Sequence, residues 1–145
     1  MKKRVLLIPS VIAALIFALP AMAAKPNLTP GLWETTSTTS FEGPMEIPEE
    51  SDTATECITE EDLQDADSFL LEDDDDCSYS DQEISSDRMT GTMQCQYDEE
   101  TTATMEITLN FRGETSDGTL TGTLQTPMGE LRVHTEMEGR RIDDC

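Results

Sequence analysis

The chain has 145 residues, and its 31 acidic side chains outnumber 9 basic ones, which gives a formal net charge of −22. Such an excess of negative charge repels nucleic acid and anionic membrane surfaces, because binding to either relies on clustered lysine and arginine. We therefore expect no nucleic-acid partner, and the length suits a single domain.

The N-terminus has the composition of a secretory signal peptide. Three basic residues at 2–4 precede an apolar run at 5–19, and Ala21 and Ala23 supply the small side chains that precede a cleavage point. The run is shorter than the roughly 20 apolar residues of a transmembrane helix. We predict a cleaved signal peptide over residues 1–23, export to the periplasm or out of the cell, and no transmembrane segment afterwards.

Residues 24–145 are predicted to form a single exported, β-rich domain. Loss of Lys2, Lys3 and Arg4 with the signal leaves six basic against thirty-one acidic residues, so the net charge becomes −25. High solubility is the plainest explanation of this acidity. The specific alternative is attraction of cations or of a basic partner.

Most apolar residues of the exported part alternate with threonine and other polar residues, the period-2 pattern of half-buried strands. The first predicted strand, "LWETTSTTSF", places Trp33 and Phe41 on the same face. A proline-bearing loop, "GPMEIPEE", follows it, because proline cannot donate to a strand ladder. A second strand is predicted near residues 53–58.

One segment departs from this alternation. "TEEDLQDADSFLL" begins with Thr59, a good N-cap, and acidic residues follow where the helix dipole favours them. We predict a helix from about Glu60 to Leu70, with Leu63, Phe69 and Leu70 toward the core.

Five further strands are predicted downstream. The stretch "CSYSDQEISSDRMTGTMQCQY" has the pattern of a hairpin, and "TATMEITLNF", "GTLTGTLQT" and "ELRVHTEME" are three more strands joined by turn-forming segments. We therefore predict a mainly β fold, an antiparallel meander of seven or eight strands with one short helix. Such a meander forms a small barrel or a curled half-barrel.

Four cysteines lie in the exported part, and an even number in a short exported chain predicts two disulfides. Three pairings of Cys57, Cys77, Cys95 and Cys145 are possible. We favour Cys57–Cys77, which brackets the predicted helix, together with Cys95–Cys145, which ties the chain end to a central strand. Cys77–Cys95 across a hairpin is the main rival.

The segments "TPGLWETT", "CITEEDL" and "GRRIDDC" together resemble a widespread family of exported bacterial proteins known only as a domain of unknown function. The likeness covers nearly all of the exported part. It implies an exported location and a shared fold, and it implies no activity. The chain departs from the family pattern at Asp143, where the family usually has glycine.

Five residues are candidates for an apolar ligand pocket at the mouth or concave face of the sheet. Tryptophan is a large apolar anchor, and methionine adapts to irregular cavities. Core filling is the plainer role for both residue types. The candidates are Trp33, Met89, Met93, Met105 and Phe111.

Two adjacent arginines, Arg140 and Arg141, could hold an anionic ligand, because the guanidinium fork matches carboxylates and phosphates. Internal ion pairing is the favoured interpretation, since surrounding acidic groups would compete with an anion. The candidate partners are Glu130, Glu136 and Asp144.

The run from Asp73 to Asp76 (Asp73, Asp74, Asp75 and Asp76) is a weak calcium candidate, because it lacks the alternating ligand spacing and central glycine of a calcium loop. No other metal site and no cofactor is predicted.

The single histidine, His134, alternates with the core-facing residues of its strand and is expected to point outward. The sequence contains no nucleophile elbow and no base–nucleophile arrangement around it. We therefore expect a non-enzymatic binding or interaction module whose partner is a small molecule or a protein. The alternative is an acidic cation-binding or structural protein of the cell envelope.

Overall fold

The computed structural model describes residues 24–66, 70 and 75–145. The predicted signal peptide at 1–23 lies outside this part of the chain, as do Phe69, Asp73 and Asp74. Among the described residues, no helix has the length and apolar character needed to cross a membrane.

Seven antiparallel strands form one sheet in the order β2-β1-β7-β6-β5-β4-β3. The predicted mainly β meander with one short helix is confirmed. Because β2 and β3 are not paired with each other, the sheet is open, and the closed-barrel alternative is wrong. The elements are β1 (Gly31–Glu42), β2 (Glu50–Ile58), α1 (Glu60–Gln64), β3 (Cys77–Ile84), β4 (Arg88–Gln96), β5 (Thr102–Phe111), β6 (Thr115–Thr126) and β7 (Gly129–Asp143).

The alternation in the sequence sorts side chains between two faces of the sheet. We call the face that carries Trp33, Met89, Leu120 and Val133 the inner face; the register places the apolar residues of all the central strands on it. Threonine dominates the opposite, outer face, where hydroxyls such as those of Thr36 and Thr53 pair across strands at 3.0 Å. The predicted strand faces are therefore confirmed.

The sheet curls toward its inner face, as the path of the N-terminal segment demonstrates. The backbone N–H of Asn27 donates to the carbonyl of Ser86, in the β3–β4 turn, at 2.7 Å. Only four residues later Gly31 begins β1, and four Cα steps reach at most about 14 Å. In a flat sheet β1 and β4 would be about 19 Å apart, four strand spacings. The predicted half-barrel curvature follows.

A glycine in β6 permits the tight approach of two strands in this curl. A Cβ atom at Gly122 would lie 2.0 Å from the Thr104 carbonyl oxygen and 2.8 Å from the Met105 Cα. Only a residue without a side chain fits where the backbone of β5 is this close.

Helix α1 begins with a reciprocal capping box. The Asp62 backbone N–H donates to the Thr59 hydroxyl at 3.2 Å, and the Asp62 carboxylate accepts from the Thr59 backbone N–H at 2.7 Å. Leu63 is almost fully buried, at 1% exposure, as predicted. The helix ends at Gln64, since Asp65 leaves helical geometry with φ −114° and ψ 57°. The helix predicted from about Glu60 to Leu70 is thus present over Glu60–Gln64 and interrupted at Asp65, and Ala66 and Leu70 are helical again.

The core consists of two buried clusters on the inner face. The first joins the N-terminal segment and α1 to the sheet through Leu28, Trp33, Leu63, Met89 and Phe111, among others. The second lies at the opposite end of the strands and consists of Cys95, Ala103, Met105 and Val133.

Two disulfides form, and their pairing is the one that contains the alternative Cys77–Cys95 bond rather than the favoured one. Cys77 and Cys95 lie directly opposite each other in the β3–β4 hairpin, with their Cα atoms 4.0 Å apart. Cys57 pairs with Cys145 at a Cα separation of 5.7 Å. The favoured Cys57–Cys77 and Cys95–Cys145 pairing is wrong, because Cys57 and Cys77 lie on the two opposite edge strands of the sheet.

The reason for the second disulfide is the position of β1 between β2 and β7. Leu32 of β1 is paired with Cys57 on one side and with Asp143 on the other. The last residues of the chain therefore arrive beside the end of β2, although 88 positions separate Cys57 from Cys145.

Candidate functional site

The inner face changes in polarity from one edge of the sheet to the other. Two lines of paired residues across it begin with a carboxylate on β2 and a hydroxyl on β1, and from β7 to β4 they are mostly apolar residues and glycine. One such line is Asp52, Ser37, Met137, Gly118, Leu109 and Met89, and the next is Glu50, Thr39, Thr135, Leu120, Ile107 and Gly91.

The other described residues do not fully cover the central part of this face. Six apolar side chains there are only half-buried, and several of them pack against a buried cluster. We call this set the apolar strip: Met93, Ile107, Leu109, Leu120, Leu124 and Met137.

Hydroxyl groups line the strip on the β1 side. The Thr39 and Thr135 hydroxyls are 2.9 Å apart and hydrogen-bond each other, and Thr135 is buried. Ser37 and Thr35 are half-buried neighbours on the same face. The inner face thus combines an apolar surface with adjacent hydrogen-bonding groups, as ligand sites commonly do.

The predicted pocket residues are divided between the two clusters. Trp33, Met89 and Phe111 belong to the first, with Trp33 at 2% and Met89 at 0% exposure, and Met105 belongs to the second. These four side chains fill the core beside the strip, on the same face, and offer little surface of their own. Met93 alone is half-buried and contributes to the strip.

Sequence reasoning did not select the other strip residues as site candidates. Ile107, Leu109, Leu120 and Met137 appear in the sequence simply as alternating apolar residues of strands. Periodicity assigns a side chain to a face, but the depth of its burial depends on what covers that face. No local signal could have separated them from the core.

The two adjacent arginines point to opposite faces of β7, and each has an internal partner. The Arg141 Nε donates to the Pro30 carbonyl at 2.8 Å, and its guanidinium pairs with Asp144. Arg140 pairs with Glu34 of β1 at 2.6 Å. Internal pairing was the favoured interpretation, and Asp144 was one of its predicted partners; the two guanidinium groups do not converge on one site.

A shallow polar cleft on the outer face is lined by Glu34, Arg112, Asp117, Glu138 and Arg140, among others. Its two arginines are each paired with a carboxylate, Arg112 with Asp117 and Arg140 with Glu34. Its charges are therefore balanced within the cleft apart from Glu138.

The described residues include no group of three or more His, Cys, Asp or Glu side chains placed to hold a metal ion. Asp75 and Asp76 of the acidic run are exposed. His134 points outward as predicted, with its ring Nε2 at 3.4 Å from Glu136.

The motifs that carry the family resemblance meet at one corner of the sheet. The Trp33 Nε1 donates to the Thr29 carbonyl at 2.9 Å, and Arg141 donates to Pro30. Gly31 has a positive φ of 152°, and a Cβ there would lie 2.3 Å from the Arg141 Nε. These contacts hold the start of β1 against the end of β7, so the residues have a structural role.

The departure at Asp143 leaves this corner intact. Among the described non-glycine residues, Asp81 alone has a positive φ, so Asp143 does not need the conformation that favours glycine. Asp143 instead pairs with Leu32 at the end of β7.

Fold and corner together define a class: an open, curled antiparallel sheet in which a disulfide joins the chain end to β2 and an arginine of the last strand bonds to the residue before β1. The chain belongs to the family described as "Protein of unknown function (DUF3617)", whose model matches residues 28–145. No curated protein and no solved structure matches the chain.

Proposed function

We propose that this protein is a non-enzymatic binding module, exported to the periplasm or secreted, that holds a small molecule with an apolar chain against its inner face. The observation that carries the proposal is the half-buried apolar strip on the inner side of a curled sheet. Apolar surface left partly exposed in a concave site is typical of ligand-binding grooves.

The frame around the strip supports binding with little rearrangement. Buried clusters lie at both ends of the strands, and disulfides join β3 to β4 and the end of β2 to the end of β7. Such a frame keeps the groove in shape before the ligand arrives, which lowers the entropic cost of binding.

The dimensions suit a linear chain. From Ser37 to Leu109 the inner-face line crosses three strand spacings, about 14 Å. Burial contributes about 0.8 kcal/mol for each methylene, so a chain of about twelve methylenes gains roughly 10 kcal/mol before the costs of association. An association cost of about 4 kcal/mol leaves about 6 kcal/mol, so a dissociation constant of tens of micromolar is expected.

The proposed compartment is supported by the sequence and by sulfur chemistry. Residues 1–23 have the composition of a signal peptide, and all four cysteines are paired in disulfides. Disulfides persist in oxidising compartments and are rare in the cytosol.

Uptake of a neutral fluorescent probe, N-phenylnaphthylamine, tests the proposal directly. Fluorescence should rise with saturable, micromolar binding to the oxidised protein. Leu120→Gln, in the strip, should weaken binding about tenfold, whereas Thr121→Gln, on the outer face of the same strand, should leave it unchanged. Met137→Gln provides a second strip variant, and circular dichroism establishes that each variant is folded.

Native mass spectrometry of protein purified gently from its own compartment provides an independent measurement. The expected result is a fraction of molecules with additional bound mass that organic extraction removes. Folded protein that neither carries such a ligand nor takes up the probe would overturn the proposal.

A further inference from the structure

The charges at one end of the apolar strip identify the class of ligand, if the proposed function holds. β2 is an edge strand, and its inner-face positions are occupied by Glu50, Asp52, Ala54 and Glu56. All four are exposed, and the three carboxylates make no ion pair with a described residue. We call these three carboxylates the acidic edge.

We propose that the ligand is an amphiphile with a cationic head group, which lies with its chain on the apolar strip and its head at the acidic edge. The register aligns the two parts. Asp52 lies beside Ser37, which lies beside Met137 of the strip, and Glu50 is aligned with Leu120 through Thr39 and Thr135.

The described strands place no free cation on the inner face that would reverse this preference. In the described strands Arg141 is its single basic residue, and that guanidinium is already engaged by the Pro30 carbonyl and Asp144. The other arginines of the described strands, such as Arg88, Arg132 and Arg140, lie on the outer face and are exposed.

Two carboxylates two positions apart on one strand are about 7 Å apart along it, so a quaternary ammonium group between them lies close to both. A head group with a negative charge would meet the same carboxylates and the strongly negative field of the chain. Charge complementarity therefore selects a cation at this end of the strip.

Isothermal titration of three amphiphiles with the same dodecyl chain, all below their micelle concentrations, tests the inference. The heads are trimethylammonium, maltoside and sulfate. We expect the cationic compound to bind at least tenfold more tightly than the neutral one at physiological ionic strength, and the sulfate to bind most weakly.

Matched variants separate the acidic edge from the overall charge. Glu50→Gln with Asp52→Asn should remove the preference for the cation and leave the maltoside affinity unchanged. Glu106→Gln with Glu138→Gln removes the same charge from exposed outer-face positions and should retain the preference.

The outcomes distinguish this inference from the proposed function. Equal affinity for the three heads, or an equal loss of preference in both double variants, would overturn the cationic-head inference while chain binding stands. The carboxylates would then serve only to protect an edge strand from pairing with other chains. Failure of all three compounds to bind the folded protein would overturn the proposed function as well.

Discussion

The Arg141 guanidinium donates a 2.8 Å hydrogen bond to the carbonyl oxygen of Pro30, although 111 positions separate the two residues. The bond holds the end of the last strand against the residue that precedes the first. β1 and β7 are neighbours in the sheet, and the Cys57–Cys145 disulfide lies beside this contact. The disulfide and the hydrogen bond together hold the chain end in place at one end of the sheet.

Replacement of Arg141 by alanine should lower the free energy of unfolding by about 2 kcal/mol, because a charged donor is removed from a partly buried carbonyl contact. The matched control is Arg140→Ala on the neighbouring residue. The Arg141 side chain is 19% exposed, against 68% for Arg140. Loss of the exposed Arg140–Glu34 pair should cost less than about 1 kcal/mol. Urea denaturation measures both, and equal losses would contradict the assigned roles.

The two disulfides should differ in their contribution to stability. On the chain-entropy model, closing the 88-residue separation of Cys57–Cys145 contributes about 4 to 5 kcal/mol, and the 18-residue separation of Cys77–Cys95 about 3 kcal/mol. Paired serine substitutions, each removing one disulfide, should therefore show the larger drop in unfolding free energy for Cys57 with Cys145. Peptide mapping under non-reducing conditions checks the connectivity itself; a Cys57–Cys77 peptide would refute the fold at this corner.

Substitution of two glycines by alanine tests the close approach of strands in the curl. Gly122→Ala should cost about 1 to 3 kcal/mol, because its Cβ would meet the backbone oxygen of Thr104 at 2.0 Å. Gly91→Ala meets its nearest atoms at 3.6 Å, an ordinary contact, and should be neutral or stabilising by up to about 1 kcal/mol. Thermal unfolding midpoints provide the comparison. Similar midpoints for the two variants would show that the approach is not tight.

The capping box of α1 should make stability depend on pH in the acidic range. Hydrogen bonds from the Thr59 hydroxyl and backbone N–H lower the pKa of Asp62 below its ordinary 3.8. Because the folded-state pKa is the lower one, this contribution is complete above the unfolded value and is lost as pH falls through the folded value.

The stability difference between the wild type and Asp62→Asn should therefore shrink as the solution is acidified from about pH 5 to about pH 2. Thr59→Ala removes the N-cap and should cost about 1 kcal/mol at neutral pH. Carboxyl NMR titration measures the pKa of Asp62 directly, and a value at or above 3.8 would contradict the assigned hydrogen bonds.

Local patterns accounted for much of this fold. Alternation placed Trp33 with Phe41 and Leu120 with Leu124 on the correct face, and Thr59 with Asp62 marked the start of α1. These features depend on residues close together in the chain. The end of α1 could not be predicted from local pattern. Residues with helical propensity continue past Gln64, whereas the observed backbone leaves helical geometry at Asp65.

The candidate site was only partly predictable. The five selected residues proved to be mostly core, while the half-buried strip beside them was not selected. A face is a property of strand periodicity, whereas exposure on that face is set by curvature and by the segments that cover it. Both depend on contacts between residues far apart in the sequence.

By itself, the sequence determined the acidity, the even cysteine count, the alternating strands and the face that each strand turns inward, because all of these are properties of composition and near neighbours. The tertiary structure alone decided that β1 lies between β2 and β7. That one placement pairs Cys57 with Cys145, brings Arg141 to Pro30 and aligns the acidic edge with the apolar strip. The physical reason is that strand order follows from which distant surfaces bury one another, and no local pattern records that choice.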